Sequence, residues 1–548
     1  MELKKIQALF PSEDGNKHDR DVFVGMISQL LEELDSKKNA EQSILGKSKD
    51  RSGDYYQQIV KTADIPQRGK SFEEVLSELS NLMEGHPYHT KNFLTNVLPM
   101  ASIPGLIGQF TASLLNGNNL WDVYGPAGAE AETKVISIMS RLAGYEPEQS
   151  WGYTTWGGQG AVFTGLRIAI TKQVEDALYE GVPNNLYCFS SEQAHYSLIK
   201  SAEATGLGRN KVIKVRTKQD HSLDENDLYL KMKTVIERGG IPVYVVGTTG
   251  TTDNFGIDNL KAIKETVEQV RIEHQLPPIH IHADSALGGF YCLFNSYDFE
   301  SNPLDFEPAV LQGLKQITER MQYLHLADSL CFDFQKLGQT PYVTSLFLVK
   351  QKQDLDKIDL DAKESPYVGD RAYGSYHTSY TLECSRMASS ISILTALNMF
   401  GVEGYQQLLA NYVRVNLAFR TKLQKQLPSI AVTNPNNPGP LTAFRLYTGK
   451  PKWEEEQQGQ STLREIQEVN KLNESLFEAL GKRKDEIFLG DTKKFDMVAA
   501  KDHPVEVPIY VSKLFCISPY TEVAHLDNVV AFIESTIQEV IKESELYL

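Results

Sequence analysis

The sequence predicts an α/β protein built on a mostly parallel sheet sandwiched by helices. Three observations carry that reading. From about residue 150, apolar runs of strand length alternate with segments of helix length. The runs are continuously apolar, which marks strands covered on both faces. No repeat of fixed period is present, which removes solenoids and propellers.

Composition narrows the class further. At 548 residues the chain exceeds one small core, so at least two packed units are expected. Hydrophobic residues make up 41% and charged residues 23%, which excludes a largely disordered or fibrous chain. Lys and Arg number 55 against 71 Asp and Glu, a net charge of −16. With no basic tail, nothing offsets repulsion from phosphates, so nucleic acid is not an expected partner. The five cysteines (Cys188, Cys292, Cys331, Cys384, Cys516) are scattered and without CxxC spacing, as for reduced thiols in the cytoplasm. No apolar run nears the roughly 18–20 residues of a membrane span, and the charged start is no signal peptide.

In chain order, residues 1–120 read as an N-terminal helical segment, with residues 35–53 as its linker. Ser71 and Glu74 have capping-box spacing ahead of Val75, Leu76 and Leu79. Helical patterns continue through IPGLIGQFTASLL and AETKVISIMSRLAG. Residues 121–380 read as a large α/β domain. Its strand candidates are LYCF ending at Phe189, then 211–215, 241–246, 278–283, 329–332 and 344–349. Between them, residues 259–275 place Leu260, Ile263, Val267 and Val270 on one helical face, with Asp258 as the N-cap. Residues 381–548 read as a small α+β domain, opening on a long helix and closing on the strand PIYVSKLFCIS and a helix through Leu526, Val530, Ile533 and Ile537. The acidic stretch KWEEEQQGQST reads as a solvated loop.

The unusual residues fall at strand ends, where ligands sit in such sheets. HIHAD puts His280, His282 and Asp284 on one face of a strand. A metal site needs further ligands, yet Ser285 follows and no second histidine cluster exists, so no metal is assigned; buried strand histidines are the plain alternative. The small SALGGF that follows lets something flat approach the backbone. Lys336 lies 52 residues downstream, after another apolar strand. Alone it reads as a surface lysine. Paired with an acid in the same sheet, it supplies the two groups pyridoxal phosphate needs: a Schiff-base amine and a partner for the pyridinium nitrogen. The turn Gly157, Gly158, Gly160 enters a helical pattern and suits a phosphate. Thr248 follows the 241–246 strand and His195 follows LYCF, one to lie beneath a ring and one to stack on it. Each reads equally well as ordinary loop or core polarity; their order on successive strands raises them together.

From about residue 71 onward the chain resembles the group II pyridoxal-phosphate-dependent amino-acid decarboxylases, which include glutamate, aromatic amino-acid and tyrosine decarboxylases. HPYHTKNF resembles the family's H-P-x-F segment and GPAGAEAE its S-P-x-x-x-E-x-E stretch. SEQAHYS, GTTGTT, His282-Ala283-Asp284 and the run from Ser329 to Leu337 match its cofactor motifs. The resemblance implies a fold-type I enzyme, with residues 121–380 binding the cofactor, that decarboxylates an L-amino acid to its amine through a lysine aldimine and a quinonoid state. It gives Lys336 the Schiff base, Asp284 the ring nitrogen and His195 the stacking position. It sets Thr248 beside the cofactor and Gly157, Gly158, Gln159 and Gln335 around the phosphate. It makes Tyr367, or its rival Tyr373, the proton donor, and puts Lys513 against a substrate carboxylate. It also implies a homodimer with sites at the subunit interface. The chain departs from the family pattern at Gln335 (usually His), at Gln159 and Val162 in the phosphate loop, and at Thr344. Another pyridoxal-phosphate carbon–carbon lyase or oxidative-deaminating activity, or a catalytically silent relative, are the alternatives.

Overall fold

The computed structural model describes residues 3–360, 364 and 374–545. Seven strands form the large sheet: β1 (Trp151–Thr155), β2 (Leu186–Ser191), β3 (Val212–Val215), β4 (Ile241–Thr248), β5 (His280–Asp284), β6 (Ser329–Asp333) and β7 (Ser345–Val349). Their order is β1-β7-β6-β5-β4-β2-β3. Pairing is parallel from β6 through β3, whereas β7 runs antiparallel to both β1 and β6.

Both faces of this sheet are buried, as the continuous apolar runs require. On one face Cys188 and Val246 pack with Val162, Leu166 and Ala169 of the helix Gly158–Gln173. On the other, Phe189, Val245 and Ile281 pack with Leu260, Ile263 and Val267 of the helix Leu260–Glu273.

A second sheet holds β8 (Ile430–Val432), β9 (Leu441–Leu446), β10 (Phe488–Thr492) and β11 (Val511–Phe515), with the two-residue strand Phe93–Leu94 parallel to β10 at its edge. Residues 1–120 are therefore not purely helical. The helix Ser390–Gln426 bends at Gly401, whose φ of +60° is cheap only for glycine. The closing helix Leu526–Glu545 buries Leu526, Val530, Ile533 and Ile537. Among the described residues no helix is long and apolar enough to cross a membrane.

Three local readings of the sequence differ from the structure. The strand β1 escapes the apolar-run criterion because WGYTT is polar by composition, although its last four residues are buried. Residues 35–53 are no free linker: Ile44 and Leu45 are buried, and the Ser43 N–H donates to the Asp485 carbonyl (2.9 Å). The capping box at Ser71 and Glu74 forms as its spacing predicts, at the start of the helix Phe72–Met83.

The third is KWEEEQQGQST, which is not a solvated loop. Trp453–Gln457 is a short helix that buries Trp453 and Glu456. Glu456 makes a bidentate pair with the fully buried Arg445, both N···O distances being 2.9 Å. Tyr447 Oη also donates to this carboxylate (2.8 Å). Removing one member strands a buried charge, which costs about 3–5 kcal/mol. Arg445→Met should therefore lower the unfolding free energy by about that amount in urea titration.

Candidate active site

The carboxyl ends of β2, β4, β5 and β6 open on one cavity of about 430 Å³. Parallel pairing is what gathers them, since every connection returns the next strand to the same edge. Lys336 sits in the turn that leaves β6, its backbone N–H donating to the Asp333 carbonyl (2.9 Å). Its Nζ lies 3.1 Å from Asp333 Oδ2. Burial works against the ammonium charge, but Asp333 and Asp284 outweigh it and hold the lysine above its ordinary range.

Asp284 ends β5 and lines the same cavity. Its Oδ1 accepts the Ala286 N–H and the Cys331 thiol, both at 3.3 Å. Burial pushes the Cys331 thiol well up, so it stays a donor. No hydrogen bond reaches Asp284 Oδ2 among the described residues, which leaves that oxygen to the cavity.

His195 follows β2 and lines the cavity with its ring against Tyr196, centroids 4.1 Å apart. Burial lowers its pKa, with Asp284 opposing, so the imidazole is neutral at pH 7. Its Nδ1 accepts the Ser197 N–H (3.2 Å), which puts the ring proton on Nε2. Thr248 ends β4 with its hydroxyl buried and without a hydrogen-bond partner among the described residues. Asp258 is not the helix cap; Asn259 takes that place, its side chain accepting the Ala262 N–H. Asp258 instead accepts the backbone N–H groups of Thr248 and Leu223, both at 2.7 Å, and so fastens the end of β4.

The glycine turn lies where the phosphate reading needs it. Gly157 has φ of +118° and precedes the sixteen-residue helix Gly158–Gln173. Gln159 lines the cavity, but its side-chain Nε2 donates to the Ser197 carbonyl and to Ser201 Oγ, so its backbone is what faces an anion. Gln335 likewise spends its amide on β7: Nε2 donates to Ser345 Oγ (2.9 Å) and Oε1 accepts the Thr344 N–H (2.9 Å).

Other sequence candidates stay apart. Lys513, on β11, is buried with its Nζ 2.6 Å from Asp253 Oδ1 and does not line the cavity. His280 and His282 both bond Ser329 Oγ at 2.8 Å, and burial pushes each down to about 3. No metal-holding group of His, Cys, Asp or Glu exists among the described residues. Tyr367 and Tyr373 lie outside the described residues. Sequence reasoning missed Asp333, Cys331 and Tyr342. The signal for Asp333 was its spacing, three residues before Lys336, which a turn after a strand brings together.

These side chains fit pyridoxal phosphate: an amine for its aldehyde, a carboxylate oxygen open to its ring nitrogen, an imidazole for its plane and an unbonded hydroxyl. The start of the helix Gly158–Gln173 offers amides to its phosphate.

Comparison with known proteins agrees with this chemistry. Residues 55–447 match the pyridoxal-dependent decarboxylase conserved domain. An aspartate 1-decarboxylase of Aliivibrio fischeri is 24% identical over 66% of this chain and 67% of its own length. A glutamate decarboxylase-like protein of Gibberella zeae is 26% identical over 48% of this chain and 46% of its own length. An Oryza sativa TDC solved with PLP and tryptamine superposes with a TM-score of 0.74 at 18% identity, covering 96% of this chain and 99% of that one.

Proposed function

Because the chain belongs to the pyridoxal-dependent decarboxylase family, we propose that it releases the α-carboxyl group of an L-amino acid as CO2 and leaves the amine. The observation that carries this reading is a lysine amine and a strand-end carboxylate converging on one cavity beside a neutral imidazole. Pyridoxal phosphate, when bound, supplies an electron sink for the α-carbon.

The chain's own residues supply binding and orientation. Lys336 tethers the group through Nζ. Asp284 holds a proton on the ring nitrogen through Oδ2, while Cys331 and Ala286 fix its other oxygen. His195 presents a flat, uncharged face, and Thr248 a free hydroxyl. Tyr367 returns a proton to the α-carbon, with Tyr373 the alternative donor. Lys513 meets a substrate carboxylate only by leaving Asp253. We also propose a cytoplasmic homodimer. The helix Ile103–Leu115 supports it by exposing Ile103, Leu106, Ile107, Phe110, Leu114 and Leu115 together, and the helices Lys17–Lys37 and Tyr55–Thr62 bury nothing. The five free cysteines fit a reducing compartment.

The test is a screen of the twenty amino acids for CO2 release with added pyridoxal phosphate. Release from at least one, with the amine recovered, is the expected result. Aldehyde and ammonia in place of amine would move the reading to oxidative deamination, and no release would remove it.

A further inference from the structure

The cavity holds one charged side chain that the proposed chemistry leaves unused. Asp333 ends β6, buried, with Oδ1 accepting the Ser345 hydroxyl (2.6 Å) and Oδ2 3.1 Å from Lys336 Nζ. Its two oxygens also lie 3.1 and 3.2 Å from where a Cβ on Gly158 would stand. The carboxylate is thus laid against the first turn of the helix Gly158–Gln173, on bare backbone.

That placement sets a fixed anion where a bound anion would be expected. The start of a helix carries about half a positive charge, and one carboxylate more than cancels it. A phosphate ester brings about −1.5 to −2 more at pH 7. Among the described residues, the titratable groups facing Asp333 are Lys336, His195, Cys331 and Tyr342. Of these only Lys336 is a cation. The two side chains that could have offset the charge with donors, Gln159 and Gln335, are turned to Ser201 and Ser345.

Resting on the cofactor reading above, we propose that Asp333 opposes the phosphate of pyridoxal phosphate, so that the protein discriminates weakly between the phosphorylated cofactor and free pyridoxal and exchanges its cofactor readily. Asp333 is the counter-ion of Lys336 in the empty cavity and a like-charge neighbour of the phosphate in the filled one. Neutralising it without changing its shape then favours the phosphorylated form selectively. Loss of the lysine's counter-ion affects both ligands, because both present the same aldehyde, and it cancels from their ratio.

The experiment compares full-length wild type, Asp333→Asn and Ser345→Ala, each freed of cofactor. Dissociation constants for pyridoxal phosphate and for pyridoxal are read from cofactor absorbance and tryptophan fluorescence. In Asp333→Asn the preference for the phosphorylated form should rise at least about tenfold, the scale of one like charge removed from a partly buried site. Ser345→Ala keeps the charge and removes the hydroxyl that donates to Asp333 Oδ1 and accepts from Gln335 Nε2, so its ratio should stay well below that of Asp333→Asn. An unchanged or smaller ratio in Asp333→Asn, or an equal rise in Ser345→Ala, overturns the proposal. Should the Asn variant melt early, Asp333→Ser carries the same comparison. If neither wild type nor variant binds either aldehyde, the cofactor reading itself falls and takes this inference with it.

Discussion

Lys336→Ala is expected to lower kcat/KM for CO2 release by at least on the order of 10³, since among the described residues no other amine lines the cavity to replace a tethering group. The alanine variant also deprives Asp333 and Asp284 of the cation that both act on, so some loss of stability accompanies it. Lys336→Arg separates the two effects. Arginine keeps a positive charge beside Asp333 but cannot serve as a neutral amine, because its guanidinium does not deprotonate in proteins. It should fold with nearly wild-type stability and be as inactive as alanine. Activity above a tenth of wild type in either variant would contradict the assignment.

Asp284→Asn is the second large effect. An ionised carboxylate is needed to keep a proton on the ring nitrogen, and an amide of the same shape provides no such charge. Removing one well-placed electrostatic group from a water-poor site costs on the order of 10²–10³ in kcat. Cofactor retention should fall less than kcat, since Lys336, His195 and the glycine turn remain. A split of that kind, measured by steady-state kinetics alongside cofactor content, separates a chemical role from a binding one. Cys331→Ala removes one thiol hydrogen bond from Oδ1 while the Ala286 N–H stays, so its effect should be far smaller than that of Asp284→Asn.

The six apolar runs between Leu186 and Val349 were legible because a strand buried on both faces has no room for polar side chains, and all six are strands. Trp151–Thr155 was not, because its threonines and glycine find partners that no local pattern shows: the Thr154 hydroxyl donates to the buried Glu132 (2.6 Å). The same limit explains Trp453–Gln457, whose Glu456 turns inward because Arg445, on β9, waits there. In the cavity, Lys336, Asp284, His195 and Thr248 were legible as strand-end residues in order along the chain. The directions of Gln159 and Gln335 were not. An amide side chain goes to whichever donor or acceptor folding places nearest, and those were Ser201 and Ser345. Lys513 was read as free for substrate because nothing in its own segment reveals Asp253, which arrives from the loop after β4.

The central claim is a covalent link between one named side chain and the cofactor. Borohydride reduction of the protein loaded with pyridoxal phosphate, followed by proteolysis and mass spectrometry, reads that link directly. The account predicts a phosphopyridoxyl group on Lys336 that disappears when reduction follows incubation with an excess of the preferred amino acid. A label on another lysine, or none on a preparation that still releases CO2, would contradict it.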